Sequence, residues 1–568
     1  MSRPVIEFDH FSFQYDAQAE PTLRDVCLTL YEGEKVLIAG PSGCGKSTLA
    51  HCLNGLIPFA YPGKATGSLK VEGHETRGMS VFELSKIVGT VLQDSDGQFI
   101  GLTVAEDIAF ALENDVTPVG EMRRRVREAA ELVDVQGHLA HAPHELSGGQ
   151  KQRVSLAGVM VDDVDILLFD EPLANLDPAT GRQAVELVDN IHQRTGATVV
   201  MIEHRLEDAL MRPMDRVILL DEGRVVCDLK PDDLMCGDLL QKIGLREPLY
   251  VTALKYAGLT IHPGMRAGSI GTLTLTDLEA EAMRRWFQGA PEAPKGPTLE
   301  PLLETVALSF RYFSGLKALE NVSLTVGSGE MMAIVGCNGA GKSTFAKLLC
   351  GFEKPGSGVI RLHGRDIAGD SVKKRADHIG YVMQNPNQMI SHAMIRDEVA
   401  SGLIARGMEA KEVARRVEEA LTICGLHPFR SWPVSALSYG QKKRMTIASI
   451  LALEPEILIL DEPTAGQDFR NYTRIMEFLR NLNARGIAIV MITHDMHLML
   501  EYCPRAAVFA GGRLIADDTG AAVLTSPETV RAASLKETSL YALSLLCGIP
   551  DARAFAQRFI DHDREVRA

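Results

Sequence analysis

The chain has 568 residues, and its 46% hydrophobic and 23% charged residues are typical of a folded globular protein. Its 59 Lys and Arg against 74 Asp and Glu leave a formal net charge of -15, which argues against a protein that mainly binds nucleic-acid phosphates. Ten scattered cysteines without a CxxC pair exclude a disulfide scaffold and favour a reducing cytosol.

The hydropathy of the sequence bears on membrane location. No apolar run approaches the ~20 residues that cross a bilayer. The N-terminal segment also lacks the apolar core of a signal peptide. We therefore expect a chain that is soluble by itself and reaches a membrane only through a partner.

A strand, a glycine-rich loop and a helix are predicted twice, 296 residues apart. Residues 36–39 and 332–335 are apolar runs that lead into GxxxxGK[ST] loops. The first loop consists of Gly40, Pro41, Ser42, Gly43, Cys44, Gly45, Lys46, Ser47 and Thr48, and the second of Gly336, Cys337, Asn338, Gly339, Ala340, Gly341, Lys342, Ser343 and Thr344. In such loops backbone N–H groups surround phosphates, the lysine neutralises phosphate charge, and the serine after it ligates Mg²⁺. Two matched copies exclude a chance pattern.

Paired carboxylates end a second apolar run in each half. Residues 166–169 precede Asp170 and Glu171, and residues 457–460 precede Asp461 and Glu462. Such runs are typical of buried parallel strands, whose carboxyl ends bind ligands in open α/β sheets. The aspartates therefore suit a Mg²⁺ site, and the glutamates could polarise an attacking water.

A Leu-Ser-x-Gly-Gln segment lies between the loop and the carboxylates of each half. The two segments contain Ser147, Gly148, Gly149 and Gln150, and Ser438, Tyr439, Gly440 and Gln441. At a helix start this pattern offers a hydroxyl and free N–H groups to an anion. With these motifs, both halves resemble ATP-binding cassette ATPase domains. General phosphate-loop NTPases lack the segment, so the resemblance excludes kinases, GTPases and helicases.

The resemblance implies an α/β fold with two P-loop NTPase domains in tandem. Each would have a mostly parallel core sheet, an antiparallel β subdomain, a helical subdomain and a small C-terminal appendage. In this family two domains enclose two ATP molecules with Mg²⁺, and here the halves would pair within one chain. Site one would combine Lys46, Ser47, Gln93, Asp170, Glu171 and His204 with Ser438 and Gly440; site two would combine Lys342, Ser343, Gln384, Asp461, Glu462 and His494 with Ser147 and Gly149.

The family also implies a role for each position. The expected catalytic residues are Glu171, His204, Gln93, Glu462, His494 and Gln384, and the expected Mg²⁺ ligands are Ser47, Gln93, Asp170, Ser343, Gln384 and Asp461. Tyr15 and Tyr312 could stack on adenine. Asp177 and Asp468 match the loop that couples the two sites. Both sites are therefore expected to hydrolyse ATP, and unequal rates remain open.

The repeat also suggests domain boundaries. We predict cassette domains at 1–230 and 301–519, C-terminal appendages at 231–290 and 520–568, and a linker at 291–300. The linker is rich in Pro and Gly, which cannot continue a helix.

The segments after Gln93 and Gln384 bear on the machine that the ATPase drives. Each continues with a second glutamine and an apolar pair, at 98–100 and 388–390, before a predicted helix. This resembles the ATPase subunits of energy-coupling factor transporters, which import vitamins, vitamin precursors or transition-metal ions. The resemblance implies a transmembrane coupling subunit and a membrane substrate-binding subunit on separate chains, peripheral association with the cytoplasmic face of the membrane, and no nucleic-acid partner.

Two other functions stay open as alternatives. A soluble tandem cassette ATPase acting on ribosomes usually carries a long charged linker, whereas the join here is short. A sugar importer with a duplicated ATPase usually shows one decayed site, and both sets of motifs are complete here.

Overall fold

The computed structural model describes residues 3–92, 95–173, 176–289, 299–313, 315–464, 467 and 469–567. They form two compact units, one comprising Met1–Leu176 with Thr180–Met283 and the other Asp177–Ala179 with Arg284–Ala568. The predicted linker, 291–300, lies outside the described residues except for Leu299 and Glu300.

The first unit contains two sheets. Its strands are β1 Pro4–Tyr15, β2 Leu23–Tyr31, β3 Lys35–Ala39, β4 Gly63–Val71, β5 His74–Glu75, β6 Val88–Val91, β7 Ile166–Asp170, β8 Thr198–Ile202, β9 Arg216–Asp221 and β10 Arg224–Leu229. An antiparallel sheet has the order β2-β1-β4-β5, and the core sheet has the order β10-β9-β3-β8-β7-β6. In the core sheet only the β9–β10 pair is antiparallel.

The second unit repeats this topology. Its strands are β11 Pro301–Arg311, β12 Lys317–Gly327, β13 Met331–Val335, β14 Ser357–Leu362, β15 Arg365–Asp366, β16 Ile379–Val382, β17 Ile457–Asp461, β18 Ala488–Ile492, β19 Arg505–Ala510 and β20 Arg513–Asp518. The orders are β12-β11-β14-β15 and β16-β17-β18-β13-β19-β20. The predicted fold class, a mostly parallel core sheet with an antiparallel sheet in each half, is confirmed.

The helices follow the same repeat. In the first half they are α1 Lys46–Leu53, α2 Leu56–Phe59, α3 Val81–Ser85, α4 Val104–Asn114, α5 Val119–Leu132, α6 Gly148–Met160, α7 Pro178–Thr195, α8 Leu206–Ala209, α9 Pro231–Met235, α10 Leu239–Ile243, α11 Leu249–Tyr256 and α12 Asp277–Gln288. In the second half they are α13 Lys342–Cys350, α14 Val372–Arg375, α15 Ile395–Ala405, α16 Ala410–Ile423, α17 Tyr439–Leu451, α18 Phe469–Asn483, α19 Met496–Tyr502, α20 Gly520–Leu524, α21 Pro527–Ala532, α22 Ser539–Leu546 and α23 Ala552–Arg567. Across the described ranges, none of these helices has the length and apolarity to span a bilayer.

The central strands explain why the sequence folds this way. Every residue of β3, β7 and β8 is buried, as it is in β13 and β18. Strands covered on both faces read as continuous apolar runs, which is the pattern that the sequence shows. In each unit the glycine loop, the paired carboxylates and the histidine lie at the carboxyl ends of parallel strands, so each core sheet brings its own set to one edge.

Candidate active site

The glycine loops join a central strand to a helix in each unit. Lys46 is the first residue of α1, and its Nζ donates to the carbonyl oxygens of Gly40 at 2.8 Å and Pro41 at 2.9 Å. Lys342 repeats this arrangement with Gly336 at 2.7 Å and Cys337 at 2.9 Å, and burial lowers the pKa of Lys342. Each ammonium is therefore held across its own loop by backbone carbonyls, where it can meet an anion.

One glycine in each loop is required by a close backbone approach. A Cβ on Gly40 would lie 2.2 Å from the carbonyl oxygen of Leu220, and one on Gly336 would lie 2.1 Å from that of Phe509. Both carbonyls belong to the strand next to the loop, and backbone cannot move aside as a side chain can. Any larger residue at these positions would displace the loop from the sheet edge.

The two tyrosines predicted to stack on a base lie beside the loops. The Tyr15 hydroxyl is 3.0 Å from the Thr48 hydroxyl, and Tyr312 has the same distance to Thr344. Tyr15 also packs edge-on against Phe13, with ring centroids 4.9 Å apart. The hydroxyl and the neighbouring ring together fix each tyrosine ring near the start of the loop helix, as a base-stacking role requires.

The strand-end aspartates have buried carboxylates. Asp170 Oδ1 is buried without a hydrogen-bond partner among the described residues. Burial, and then the charge of Glu171, raise the pKa of Asp170 to about 6. In the second unit Asp461 accepts from the Tyr381 hydroxyl at 2.8 Å, and burial is again the main cause of a raised pKa. A buried oxygen without a partner is costly, so the Asp170 carboxylate fits a cation.

The donor set at this position suits Mg²⁺. Ser47 and Ser343 follow the loop lysines and supply hydroxyl oxygens, and Ser343 hydrogen-bonds Asp461. Hydroxyl and carboxylate oxygens are ligands that Mg²⁺ prefers, and the ion usually keeps several waters. Gln384 is exposed just after β16, whereas Gln93 lies outside the described residues.

The two predicted bases have a strained backbone. Glu171 has φ 49° and Glu462 has φ 47°, and each donates its N–H to the last residue of the adjacent strand, Ile202 or Ile492, at 2.9 Å. A non-glycine residue in this left-handed region costs of order 1–3 kcal/mol, and such residues concentrate at functional sites. The same backbone conformation occurs at the equivalent position of both units.

The two predicted switch histidines have different neighbours. His494 Nδ1 lies 2.7 Å from Glu462 Oε1, and the Thr493 hydroxyl donates to Glu462 Oε2 at 3.3 Å. His204 Nδ1 lies 3.9 Å from Glu171 Oε1 but 3.3 Å from Glu203 Oε1. The structure thus brings base and histidine into hydrogen-bonding contact in the second unit and holds them further apart in the first.

Both Leu-Ser-x-Gly-Gln segments form helix caps. Ser147 Oγ accepts from Gln150 N, and Gln150 Oε1 accepts from Ser147 N, so the segment starts α6 with a capping box. Ser438 and Gln441 do the same for α17. Gly148, Gly149, Tyr439 and Gly440 lie in the first turns of these helices. The N–H groups of two helix N-termini are thereby fixed in direction for an anion.

Of the two predicted coupling-loop aspartates, the structure describes Asp177. Asp177 belongs to the second unit, where one of its carboxylate oxygens is 3.5 Å from the backbone nitrogen of Asn338 in the glycine loop. Asp468 lies outside the described residues.

Comparison with known proteins bears on the whole chain. A family model described as "ABC transporter" matches residues 23–174 and 319–465, and one described as "ATP-binding cassette cobalt transporter" matches residues 237–310. A protein of Clostridium perfringens is 53% identical over 565 residues, covering 100% of this chain and 99% of the relative. One of Enterococcus faecalis is 54% identical over 570 residues, covering 100% of both. Both carry the description "ABC transporter ATP-binding protein". The chain belongs to the ABC transporter ATPase family.

Two solved structures each match about two fifths of this ABC ATPase. CbiO1 of Clostridium perfringens, described as part of the ABC transporter complex CbiONQ, is 34% identical and covers 41% of this chain and 94% of its own, with a TM-score of 0.38. A dimeric ATP-binding cassette in a post-hydrolysis state with ADP and Pi is 28% identical and covers 38% and 98%, with a TM-score of 0.36.

A lysine that sequence reasoning missed connects two predicted functional segments of the second unit. Lys443 is 1% exposed, and its Nζ donates to the carbonyl oxygens of Met383 and Gln384, both at 2.8 Å. Burial lowers the pKa of Lys443 to about 8. The lysine ties α17 to the backbone of the predicted coupling glutamine. Its sequence signal was weak, because a run of basic residues at 442–444 normally lies in solvent.

Replacing Tyr15 by alanine should weaken ATP binding at one site about ten-fold, because stacking on a base contributes roughly 1–3 kcal/mol. Tyr15→Phe keeps the ring and loses only the hydroxyl contact with Thr48, so it should bind ATP more tightly than Tyr15→Ala and close to wild type. Titration of a fluorescent ATP analogue against both variants measures this. Equal loss in the alanine and phenylalanine variants would contradict a stacking role.

Proposed function

We propose that this ABC ATPase is the motor subunit of a membrane importer, most similar to those of energy-coupling factor type. The observation that carries the proposal is an exposed apolar segment after the predicted coupling glutamine. Ile100 and Leu102 are 65% and 82% exposed. Neighbouring exposed apolar side chains on a fixed backbone can form part of a docking surface for another protein.

The backbone of this segment is held by the helix that follows it. Asp107 Oδ1 accepts from the N–H groups of Ile100 at 2.8 Å and Gly101 at 3.1 Å, and Thr103 caps α4. The second unit repeats the device, since buried Glu398 accepts from Ser391 N and His392 N, both at 2.8 Å. A surface fixed in this way can transmit a movement of the helix to whatever is bound to it.

The proposed cycle uses the residues described above. ATP with Mg²⁺ binds at each glycine loop, where Lys46 and Lys342 neutralise phosphate charge. The Leu-Ser-x-Gly-Gln segment of the other half completes each site, so binding closes the halves. Glu171 and Glu462 act as general bases, hydrolysis reopens the halves, and Gln93 and Gln384 pass the motion to the membrane partner.

The proposed partners are a transmembrane coupling subunit and a membrane substrate-binding subunit on separate chains, with the ATPase on the cytoplasmic face. Candidate cargoes are vitamins, vitamin precursors and transition-metal ions. The family model that matches residues 237–310 is described with cobalt, which favours a transition-metal ion among these classes.

Purification of the tagged chain from membranes in mild detergent tests the proposal. Wild type should bring membrane proteins with it, whereas Leu102→Asp should lose them because a charge is placed in an apolar contact. Leu278→Asp is the matched control, since Leu278 is 78% exposed but lies on α12, and it should keep the partners. Thermal unfolding shows that both variants are folded. Ribosomal proteins without a membrane subunit would contradict the importer, whereas membrane partners that persist with Leu102→Asp would contradict this docking segment.

A further inference from the structure

A fully buried carboxylate lies beside the first catalytic site and has no place in the cycle above. Glu203 is 0% exposed and directly precedes His204. Its Oε1 accepts from the N–H groups of His204 at 2.9 Å and Arg205 at 3.1 Å. Its Oε2 accepts from Leu173 N at 3.2 Å. Glu203 therefore joins the loop that follows Glu171 to the loop that carries the histidine.

The second unit has a different residue at this position. Thr493 is also fully buried, and its hydroxyl donates to Glu462 Oε2 and accepts from Asp495 N at 3.0 Å. Because His494 contacts the other oxygen, both oxygens of Glu462 are held by its neighbours. A base oriented by a third group is the usual arrangement for activating a nucleophile.

His204, which follows Glu203, has different contacts from His494, which follows Thr493. His204 Nδ1 is 3.3 Å from Glu203 and 3.9 Å from Glu171, and the longer distance exceeds that of a hydrogen bond. A single ring nitrogen faces both carboxylates, so attraction to Glu203 competes with attraction to Glu171. Glu171 and Glu462 themselves have nearly the same φ, 49° and 47°.

We propose that Glu203 is a positioning residue that holds His204 away from Glu171, so that the site containing Glu171 hydrolyses ATP more slowly than the site containing Glu462. The inference rests on the proposed role of the two glutamates as bases and not on the identity of the membrane partner. The proposal attributes the difference between the two sites to the buried residue before each histidine, Glu203 in the first half and Thr493 in the second.

Reciprocal exchange of the two residues tests the proposal. In a Glu462→Gln background, Glu203→Thr should raise kcat about three- to ten-fold with KM changed less than about two-fold, because it alters orientation in the transition state rather than ATP binding. In a Glu171→Gln background, Thr493→Glu should lower kcat by a similar factor. Unaltered kcat in both exchanges, or a change confined to KM, would overturn the proposal.

Glu203→Gln is the conservative variant. Its amide oxygen can still accept from the N–H groups of His204 and Arg205, but it carries no charge to attract the histidine. We expect kcat to rise as it does for Glu203→Thr. A wild-type kcat in folded Glu203→Gln would overturn the role of the charge. If Glu203→Thr does not fold, as measured by thermal unfolding, Glu203→Gln and Thr493→Glu still decide the question. If Glu171 and Glu462 are not the general bases, a different result will show it: ATP turnover will survive when both are replaced.

Discussion

Replacing Glu171 and Glu462 together by glutamine should lower ATP turnover by at least about 100-fold, the scale of a lost general base. Glutamine keeps the size of the side chain but cannot take a proton from water. Binding of ATP should persist, because the glycine loops and their lysines are unchanged. Phosphate release and titration with a fluorescent ATP analogue measure the two properties on the same protein.

The control for this variant is another glutamate that has the same left-handed backbone conformation. Glu222 has φ 46° in the turn between β9 and β10 and is exposed. Glu222→Gln should leave turnover at the wild-type value. If the double variant hydrolyses ATP at a normal rate, the assignment of the bases is wrong.

Replacing Lys46 and Lys342 together by alanine should raise the Kd for ATP at each site at least about 100-fold. The reason is that each substitution removes charge-assisted hydrogen bonds to the phosphates. Each lysine is buried at its loop, and its ammonium is held there by two backbone carbonyls. Calorimetry should give two ATP per wild-type chain, one for each single variant and none for the double variant.

Lys347→Ala is the matched control for the loop lysines. Lys347 is exposed on α13, the same helix that begins with Lys342, so its loss removes a positive charge without touching the loop. It should bind two ATP. Two bound ATP in the Lys46 and Lys342 double variant would contradict the site.

Much of the fold could be predicted from the sequence, because the relevant signals are local. Apolar runs such as 166–169 mark strands buried on both faces, and short motifs with fixed spacing mark the loops that follow them. The repeat gave each motif an independent copy. The glycine loops, Asp170, Asp461 and the two histidines therefore lie where the pattern places them, at strand ends.

The contacts of the site could not be predicted in the same way. Glu203 and Leu173 are 30 residues apart, and Lys443 and Met383 are 60 apart, yet each pair is hydrogen-bonded. The sequence shows only a glutamate before a histidine and one lysine in a basic run. Which of these side chains is buried depends on the packing of strands and helices from distant parts of the chain.

The amino-acid sequence by itself determined a tandem α/β nucleotide-binding protein and predicted a phosphate loop, a metal ligand and a base in each half. Strand periodicity and motif spacing are properties of neighbouring residues, so they can be read without the fold. Only the tertiary structure decided that the two sites differ, with His494 on Glu462 and His204 nearer to Glu203 than to Glu171. Which neighbour a side chain contacts depends on distances between residues far apart in the chain, and those distances exist only once the sheet has brought its strand ends together.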